Sequence, residues 1–246
     1  MKPEKIFKRY DIRGEYPEEI NDDFARRLGR AIGSFIQENH EKKVVVGRDN
    51  KESSRTLKES LIKGLTSTGV KVLDAGEGPT DYVAFSGTLE DAVSVQVTAS
   101  HLPLNFNGFK LMYPEGNGFV NEDLDRIKDI FRSENFDSGQ ETVEDIETGC
   151  KEEYREEIKK KTLKYSEGFF DKKIVVDTLG GATTDFLPKI LRNLGAEVID
   201  ISKEKEEHPY HDPPNPKPDN LDELQERVEA EDADLGLATD MDADRE

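Results

Sequence analysis

Apolar residues recur at helical spacing between Asp22 and Asn39, where Phe24, Leu28, Ala31, Ile32, Phe35 and Ile36 fall on one face. That spacing predicts a helix with one side against a core. The run Val44-Val45-Val46 predicts a buried strand, and Leu57, Leu61 and Leu65 after Ser53-Ser54 predict a serine-capped helix. The order then repeats. A strand is predicted over Val70–Leu73, a helix after Pro79, strands over Val93–Val97 and Phe109–Met112, and a helix carrying Leu124, Ile127 and Phe131. Between Ser133 and Lys151 the pattern lapses into polar, acidic sequence with Gly139 and Gly149, which predicts a domain boundary. Helical periodicity resumes over Tyr154–Leu163. A second unit follows: strand Ile174–Val176, a helix with Phe186, Leu187, Ile190, Leu191 and Leu194 ended by Gly195, strand Glu197–Ile201, helix Leu221–Val228 and strand Leu235–Ala238. Such alternation implies an α/β protein of two consecutive domains, 1–150 and 151–246, with mixed, largely parallel sheets and helices on both faces.

Composition narrows the function. The net charge is −19 and 36% of residues are charged. So acidic a surface repels nucleic-acid phosphates and anionic lipid, which excludes a general nucleic-acid or membrane-surface role. A strongly charged surface also suits a salty cytoplasm. No apolar run approaches the roughly 18 residues that a membrane span needs. The lone cysteine, Cys150, has no internal disulfide partner, and Met1–Phe7 lacks the apolar core of a secretory signal. A cytoplasmic protein is expected. The cluster Pro209, Pro213, Pro214, Pro216 and Pro218 fixes several φ angles and predicts a loop, most simply a stiff connector.

Candidate chemistry gathers at predicted strand ends, where α/β sheets carry their sites. The strand Val93–Val97 runs into Thr98-Ala99-Ser100-His101-Leu102-Pro103. Next comes Asn107-Gly108-Phe109-Lys110, in which a glycine turn is expected to bring Lys110 back beside the serine as phosphate anchor or proton donor. After the strand Leu235–Ala238 stands Asp240-Met241-Asp242-Ala243-Asp244-Arg245, whose alternate carboxylates suit a hard cation such as magnesium. An EF-hand requires glycine where Arg245 stands, so a calcium hand is rejected. Tyr10-Asp11-Ile12-Arg13-Gly14 pairs an arginine able to grip phosphate with a glycine permitting close backbone approach; its plainer reading is a surface turn. Gly47-Arg48-Asp49 and Gly180-Gly181 mark βα turns whose amides could meet an anion. No G-x-S-x-G elbow supports a serine hydrolase.

Together, in this order, these segments resemble the α-D-phosphohexomutases, the family of phosphoglucomutase, phosphomannomutase and phosphoglucosamine mutase. Thr98–Pro103 is similar to the family's T-A-S-H-N-P phosphoserine loop, with Leu102 in place of asparagine, and Asn107–Lys110 to its N-G-x-K. Asp240–Arg245 resembles the D-x-D-x-D-R metal loop, Tyr10–Gly14 the Y-D-I-R-G segment, and Gly47–Ser54 the G-R-D-x-R-x-S-S segment with Lys51 replacing an arginine. The resemblance implies a phosphoserine at Ser100, and Mg²⁺ held by Ser100, Asp240, Asp242 and Asp244. It implies acid–base service by Lys110, and orientation of phosphate and sugar by Arg13, His101, Arg245, Tyr10 and Asn107. The implied reaction moves phosphate reversibly between the 1- and 6-positions of a hexose phosphate through a hexose 1,6-bisphosphate. Domain I would carry the serine loop and domain II the metal loop. The resemblance covers about half of the family's four-domain protein. It therefore leaves two alternatives: a non-catalytic metal- and phosphate-binding fragment, or one half of a split mutase completed by a separate chain that supplies the C-terminal domains.

Overall fold

The computed structural model describes residues 3–39, 42–202 and 211–246. It divides into two units, Met1–Ala99 with Asn105–Cys150, and Ser100–Leu104 with Lys151–Glu246. The short serine segment thus groups with the second unit, although the flanking chain on both sides belongs to the first.

In the first unit the elements are α1 (Pro3–Ile6), β1 (Ile12–Glu15), α2 (Asp22–Asn39), β2 (Lys43–Arg48), α3 (Glu52–Thr66), β3 (Lys71–Glu77), α4 (Thr80–Glu90), β4 (Val93–Val97), β5 (Phe106–Met112), α5 (Asn121–Ser133) and β6 (Val143–Asp145). They form one six-stranded sheet in the order β1-β5-β4-β2-β3-β6. β5 runs antiparallel to β1 and β4, whereas β4, β2, β3 and β6 are mutually parallel. The fold is α/β with a mixed, largely parallel sheet, as the alternation of elements predicts.

The apolar face of α2 is buried as its spacing requires, with Phe24, Leu28, Ala31 and Ile32 all fully inaccessible. Burial of each large side chain contributes about 1.5–3 kcal/mol. Phe24 packs its ring 5.1 Å from Phe131 of α5. Val44, Val46, Val72, Val95 and Leu111 join the same core from the sheet. α2 and α3 cross closely because glycines meet at the crossing: a Cβ on Gly29 would lie 2.2 Å from the Leu61 carbonyl, and one on Gly64 2.1 Å from the Arg26 carbonyl. The opposite sheet face is covered by α4, whose Val83 sits where a Cβ on Gly47 would be.

The second unit carries α6 (Glu147–Tyr165), entered from the first, then β7 (Lys173–Asp177), α7 (Leu187–Asn193), β8 (Glu197–Asp200), α8 (Asp222–Ala230) and β9 (Leu235–Ala238). Its three strands are parallel in the order β8-β7-β9. Alternate residues of β7 feed two cores. Ile174 and Val176 pack with Leu191 and Ala196 on one face, and Val175 packs with Ile201, Leu224 and Ala238 on the other. A 3₁₀ turn over Pro218–Asn220 closes the proline-rich loop; Pro209 lies outside the described residues. Among the described residues no helix is long and apolar enough to cross a membrane.

Several local expectations are corrected. Ser53 and Ser54 lie inside the first turn of α3 rather than capping it; Lys51 is the N-cap and makes no side-chain cap bond. The two serine hydroxyls instead accept the Asn107 amide at 2.9 and 3.0 Å. Asn107-Gly108 is not a turn but part of β5, so the chain reverses earlier, between Val97 and Phe106. Ile12–Gly14 is strand, paired with β5, rather than a surface turn. The acidic stretch after Ser133 includes β6, a parallel edge strand with all three side chains exposed, which gives no apolar signal.

Candidate active site

β9 and β7 end side by side, with Asp177 opposite Ala238. The acidic loop leaves the sheet there, at the carboxyl edge. It curls back on itself: the Ala243 amide donates to the Asp240 carbonyl at 3.2 Å, and the Asp244 amide to Asp240 Oδ1 at 3.1 Å. Ala243 takes φ +56° to make that turn. Gly181, in the loop after β7, abuts this turn so closely that a Cβ would fall 2.8 Å from the carbonyls of Asp240 and Met241. The Ala182 amide donates to the Met241 carbonyl at 2.8 Å. Gly180-Gly181 therefore serves here as backing for the acidic loop.

The loop brings one carboxylate oxygen from each of Asp240, Asp242 and Asp244 to within 4.8 Å of the others. Asp240 and Asp242 are fully buried and Asp244 is exposed. Three hard oxygen donors at this separation fit a magnesium- or manganese-class cation, which takes carboxylates and completes its shell with water or phosphate oxygens. The triad could hold a metal ion.

Ser100 stands against this cluster. Its hydroxyl reaches Asp240 Oδ2 at 2.8 Å and Asp244 Oδ1 at 3.3 Å, with His101 Nδ1 at 3.1 Å. One hydroxyl carries one proton, so it donates to one carboxylate at a time, and the shorter contact to Asp240 is favoured. Ser100 is 1% exposed and adopts φ +54°. For a residue with a Cβ the left-handed region costs on the order of 1 kcal/mol, and such strain persists where surrounding contacts over-determine it. Arg245 is exposed; its carbonyl accepts the Asp240 amide at 3.3 Å.

The other sequence-predicted residues lie in the first unit. Arg13 in β1 pairs through Nε with Asp11 at 2.7 Å. Burial pushes the Asp11 carboxyl up from its ordinary value, opposed by the charges of Arg13 and Lys110. Lys110 lies in β5 opposite Gln96, and is half-buried. Tyr10 is 62% exposed, under the Arg9 guanidinium at 5.1 Å. Asn107 is fully buried with both amide groups engaged, its oxygen accepting the Gly108 amide at 2.8 Å. Asp49 is fully buried, and burial pushes its carboxyl up against the opposing pull of Lys51. Lys51, standing where the family pattern has arginine, donates to the Phe106 carbonyl at 2.9 Å.

Two residues of the second unit escaped the sequence reading. Asp212 Oδ1 accepts the amide of Leu104, the last residue of the serine segment, at 3.1 Å. His211 Nε2 lies 3.5 Å from the buried Asp177 carboxylate. Both sit in the proline-rich loop, whose prolines predict stiffness but not contacts.

A buried serine hydroxyl against three carboxylates, which leave the carboxyl edge of the second unit's sheet, places a nucleophile-type side chain beside a set of donors that could hold a metal ion. Residues 4–138 match the model of phosphoglucomutase/phosphomannomutase alpha/beta/alpha domain I, and residues 152–246 that of domain II. The chain belongs to the phosphoglucomutase/phosphomannomutase family. A phosphoglucomutase/phosphomannomutase of Thermococcus kodakarensis is 35% identical over 98% of this chain and 54% of its own length. A phosphomannomutase/phosphoglucomutase of Pseudomonas aeruginosa is also 35% identical, over 99% of this chain and 51% of its own. The crystal structure of a phosphoglucomutase/phosphomannomutase family protein from Burkholderia thailandensis superimposes with a TM-score of 0.86 at 28% identity, covering 98% of this chain and 54% of that one. The chain thus spans about half the length of the curated relatives it matches.

Proposed function

We propose that this chain carries the phosphate-loading half of a cytoplasmic phosphohexomutase. The observation that carries the reading is the buried Ser100 hydroxyl 2.8 Å from Asp240, inside a carboxylate triad. Phosphorylation of that hydroxyl adds about 1.5–2 negative charges at neutral pH. Beside three aspartates such a group is repelled unless a cation intervenes. Asp240, Asp242, Asp244 and a Ser100 phosphate oxygen would hold Mg²⁺, which supplies charge neutralisation of the phosphoryl oxygens.

In the proposed reaction the bond from phosphorus to Ser100 Oγ breaks as a bond forms to the free hydroxyl of a hexose 1- or 6-phosphate, giving the hexose 1,6-bisphosphate. The proton lost by the sugar hydroxyl is matched by the one returned to Ser100 Oγ. Lys110 serves as general base in one direction and general acid in the other. Arg13, His101, Arg245 and Tyr10 orient phosphate and sugar, with Asn107 holding Lys110's strand. Reversal of the step onto the other phosphate regenerates the phosphoserine and completes the isomerisation.

Because the matched relatives are about twice as long, we assign sugar selection to polypeptide outside these 246 residues, in the same protein or a separate chain. The test is incubation of the chain with Mg²⁺ and labelled glucose 1,6-bisphosphate. Covalent label at Ser100 that is lost in Ser100→Ala supports the assignment, and label persisting in that variant overturns it. Label without isomerisation by the chain alone, and isomerisation restored by added C-terminal domains, identifies a half-site.

A further inference from the structure

The serine segment is held at both ends. At its start the Ser100 hydroxyl donates to Asp240 at 2.8 Å. At its end the Leu104 amide donates to Asp212 Oδ1 at 3.1 Å. Asp212 is exposed, and a surface side chain is by itself a poor anchor, because holding it still costs rotamer entropy. Its neighbours supply the rigidity. The His211 amide donates to the Leu179 carbonyl at 3.2 Å, and the imidazole lies 3.5 Å from Asp177 Oδ2. Asp177 is 2% exposed, and its Oδ1 accepts the Leu179 amide at 2.9 Å. The Asp177 carbonyl accepts the amide of Thr239, the residue before Asp240, at 3.2 Å. On the other side of Asp212 the loop is closed by the Asn220 amide, which donates to the carbonyls of Asn215 and Pro213 at 2.8 and 3.2 Å. Pro213, Pro214 and Pro216 restrict φ along the same stretch, reducing the freedom lost on ordering it.

We propose that Asp212, fixed by the His211 amide on the Leu179 carbonyl beside Asp177, is a positioning residue that clamps the serine loop over the aspartate triad. The hydrogen-bonded route runs from Leu104 to Asp212, from the adjacent His211 amide to the Leu179 carbonyl, and from the Leu179 and Thr239 amides to Asp177, so the nucleophile's loop and the metal loop share one frame. Ser100 needs a second anchor for a physical reason. It sits at φ +54°, a conformation that relaxes unless both flanks of the loop are held. The likewise buried Asp177 carboxylate gives the clamp a fixed base that exposed carboxylates lack. The proline-rich segment is then more than a connector.

This inference rests on Ser100 as the phosphate carrier, and its test separates the two. Asp212→Ala removes the acceptor, whereas Asp212→Asn keeps an oxygen in place while losing the charge. In Asp212→Ala, amide hydrogen exchange at residues 101–104 should rise, and labelling of Ser100 by glucose 1,6-bisphosphate with Mg²⁺ should slow about tenfold, in line with the cost of sub-ångström misplacement of a reacting group. Mn²⁺ affinity should stay within about twofold, because the carboxylate ligands are untouched. Asp212→Asn should recover both exchange protection and labelling rate, since an amide oxygen also accepts a hydrogen bond. Unchanged exchange and labelling in Asp212→Ala would overturn the clamp, as would Asp212→Asn behaving like Asp212→Ala. If the unsubstituted chain takes no label at Ser100, the phosphoserine reading fails, while the exchange comparison still decides the clamp.

Discussion

Ser100 and Asp240 stand 140 residues apart in the chain, yet the serine hydroxyl donates to the aspartate at 2.8 Å. A hydroxyl that occupies a carboxylate lone pair is a placeholder: a cation entering the triad must compete for the same oxygen. The serine loop and the aspartate loop are therefore one chemical unit, and substitutions in either should be read at both.

Asp242→Asn replaces one of two fully buried carboxylates of the triad by a neutral amide. Divalent affinity follows ligand charge, so Mg²⁺ or Mn²⁺ binding measured by calorimetry should weaken about tenfold or more, roughly 1.4 kcal/mol. Unchanged affinity would remove the triad from consideration as the metal site.

Ser100→Ala and Ser100→Gly should both lose covalent phosphate, but they should differ in stability. Alanine keeps the steric cost of φ +54°, while glycine does not. The glycine variant should melt about 2–4 °C above the alanine variant, corresponding to roughly 1 kcal/mol in a chain of this size. An alanine variant melting higher would mean that the left-handed turn at Ser100 is unstrained.

Gly181→Ala drives a methyl group into the Asp240 and Met241 carbonyls, 2.8 Å away, where backbone must move. Overpacking of this kind costs about 1–3 kcal/mol, and here the displaced backbone carries the triad carboxylates, so cation affinity should fall with stability. Gly149→Ala in α6 meets nothing within 4 Å, and should stabilise by a few tenths to about 1 kcal/mol through helix propensity. Denaturant titration of the two variants checks the contrast.

The Tyr113 hydroxyl donates to Asp123, and burial followed by that hydrogen bond pushes the phenol up to about 12. In the unfolded chain a tyrosine titrates near about 10. The folded state keeps the proton over that interval, so the stabilisation is whole below about pH 10 and is lost as pH rises through about 12. The tyrosinate difference spectrum between the unsubstituted chain and Tyr113→Phe should show one step near the higher value. A step near 10 would place the hydroxyl in water.

Local pattern carried much of the fold. The apolar face of α2, the strands β4 and β9, and the clustering of Asp240, Asp242 and Asp244 were legible, because period and composition report which side chains share a face and which donors share a loop. The serine segment has no such period and was read only through its resemblance to a family motif. Where that signal thinned, the reading failed. β6 exposes all three of its side chains and so has no period to read.

Other features depend on segments distant in sequence. The strand Val93–Val97 is legible from its valines, but only the fold shows that Ser94 and Gln96, which alternate with them, are fully inaccessible as well. Gln96 then donates its side-chain NH2 to the Gly78 carbonyl at 2.9 Å. Ser53 and Ser54 look like helix caps until Asn107 claims their hydroxyls. Asp212 looks like a turn residue until the Leu104 amide reaches it. The sequence by itself determined which residues could do chemistry and the strand and helix periods that carry them. Only the tertiary structure decided that Ser100 meets Asp240 and Leu104 meets Asp212, since such pairings are selected by packing and by satisfaction of buried polar groups across the fold, which no local period encodes.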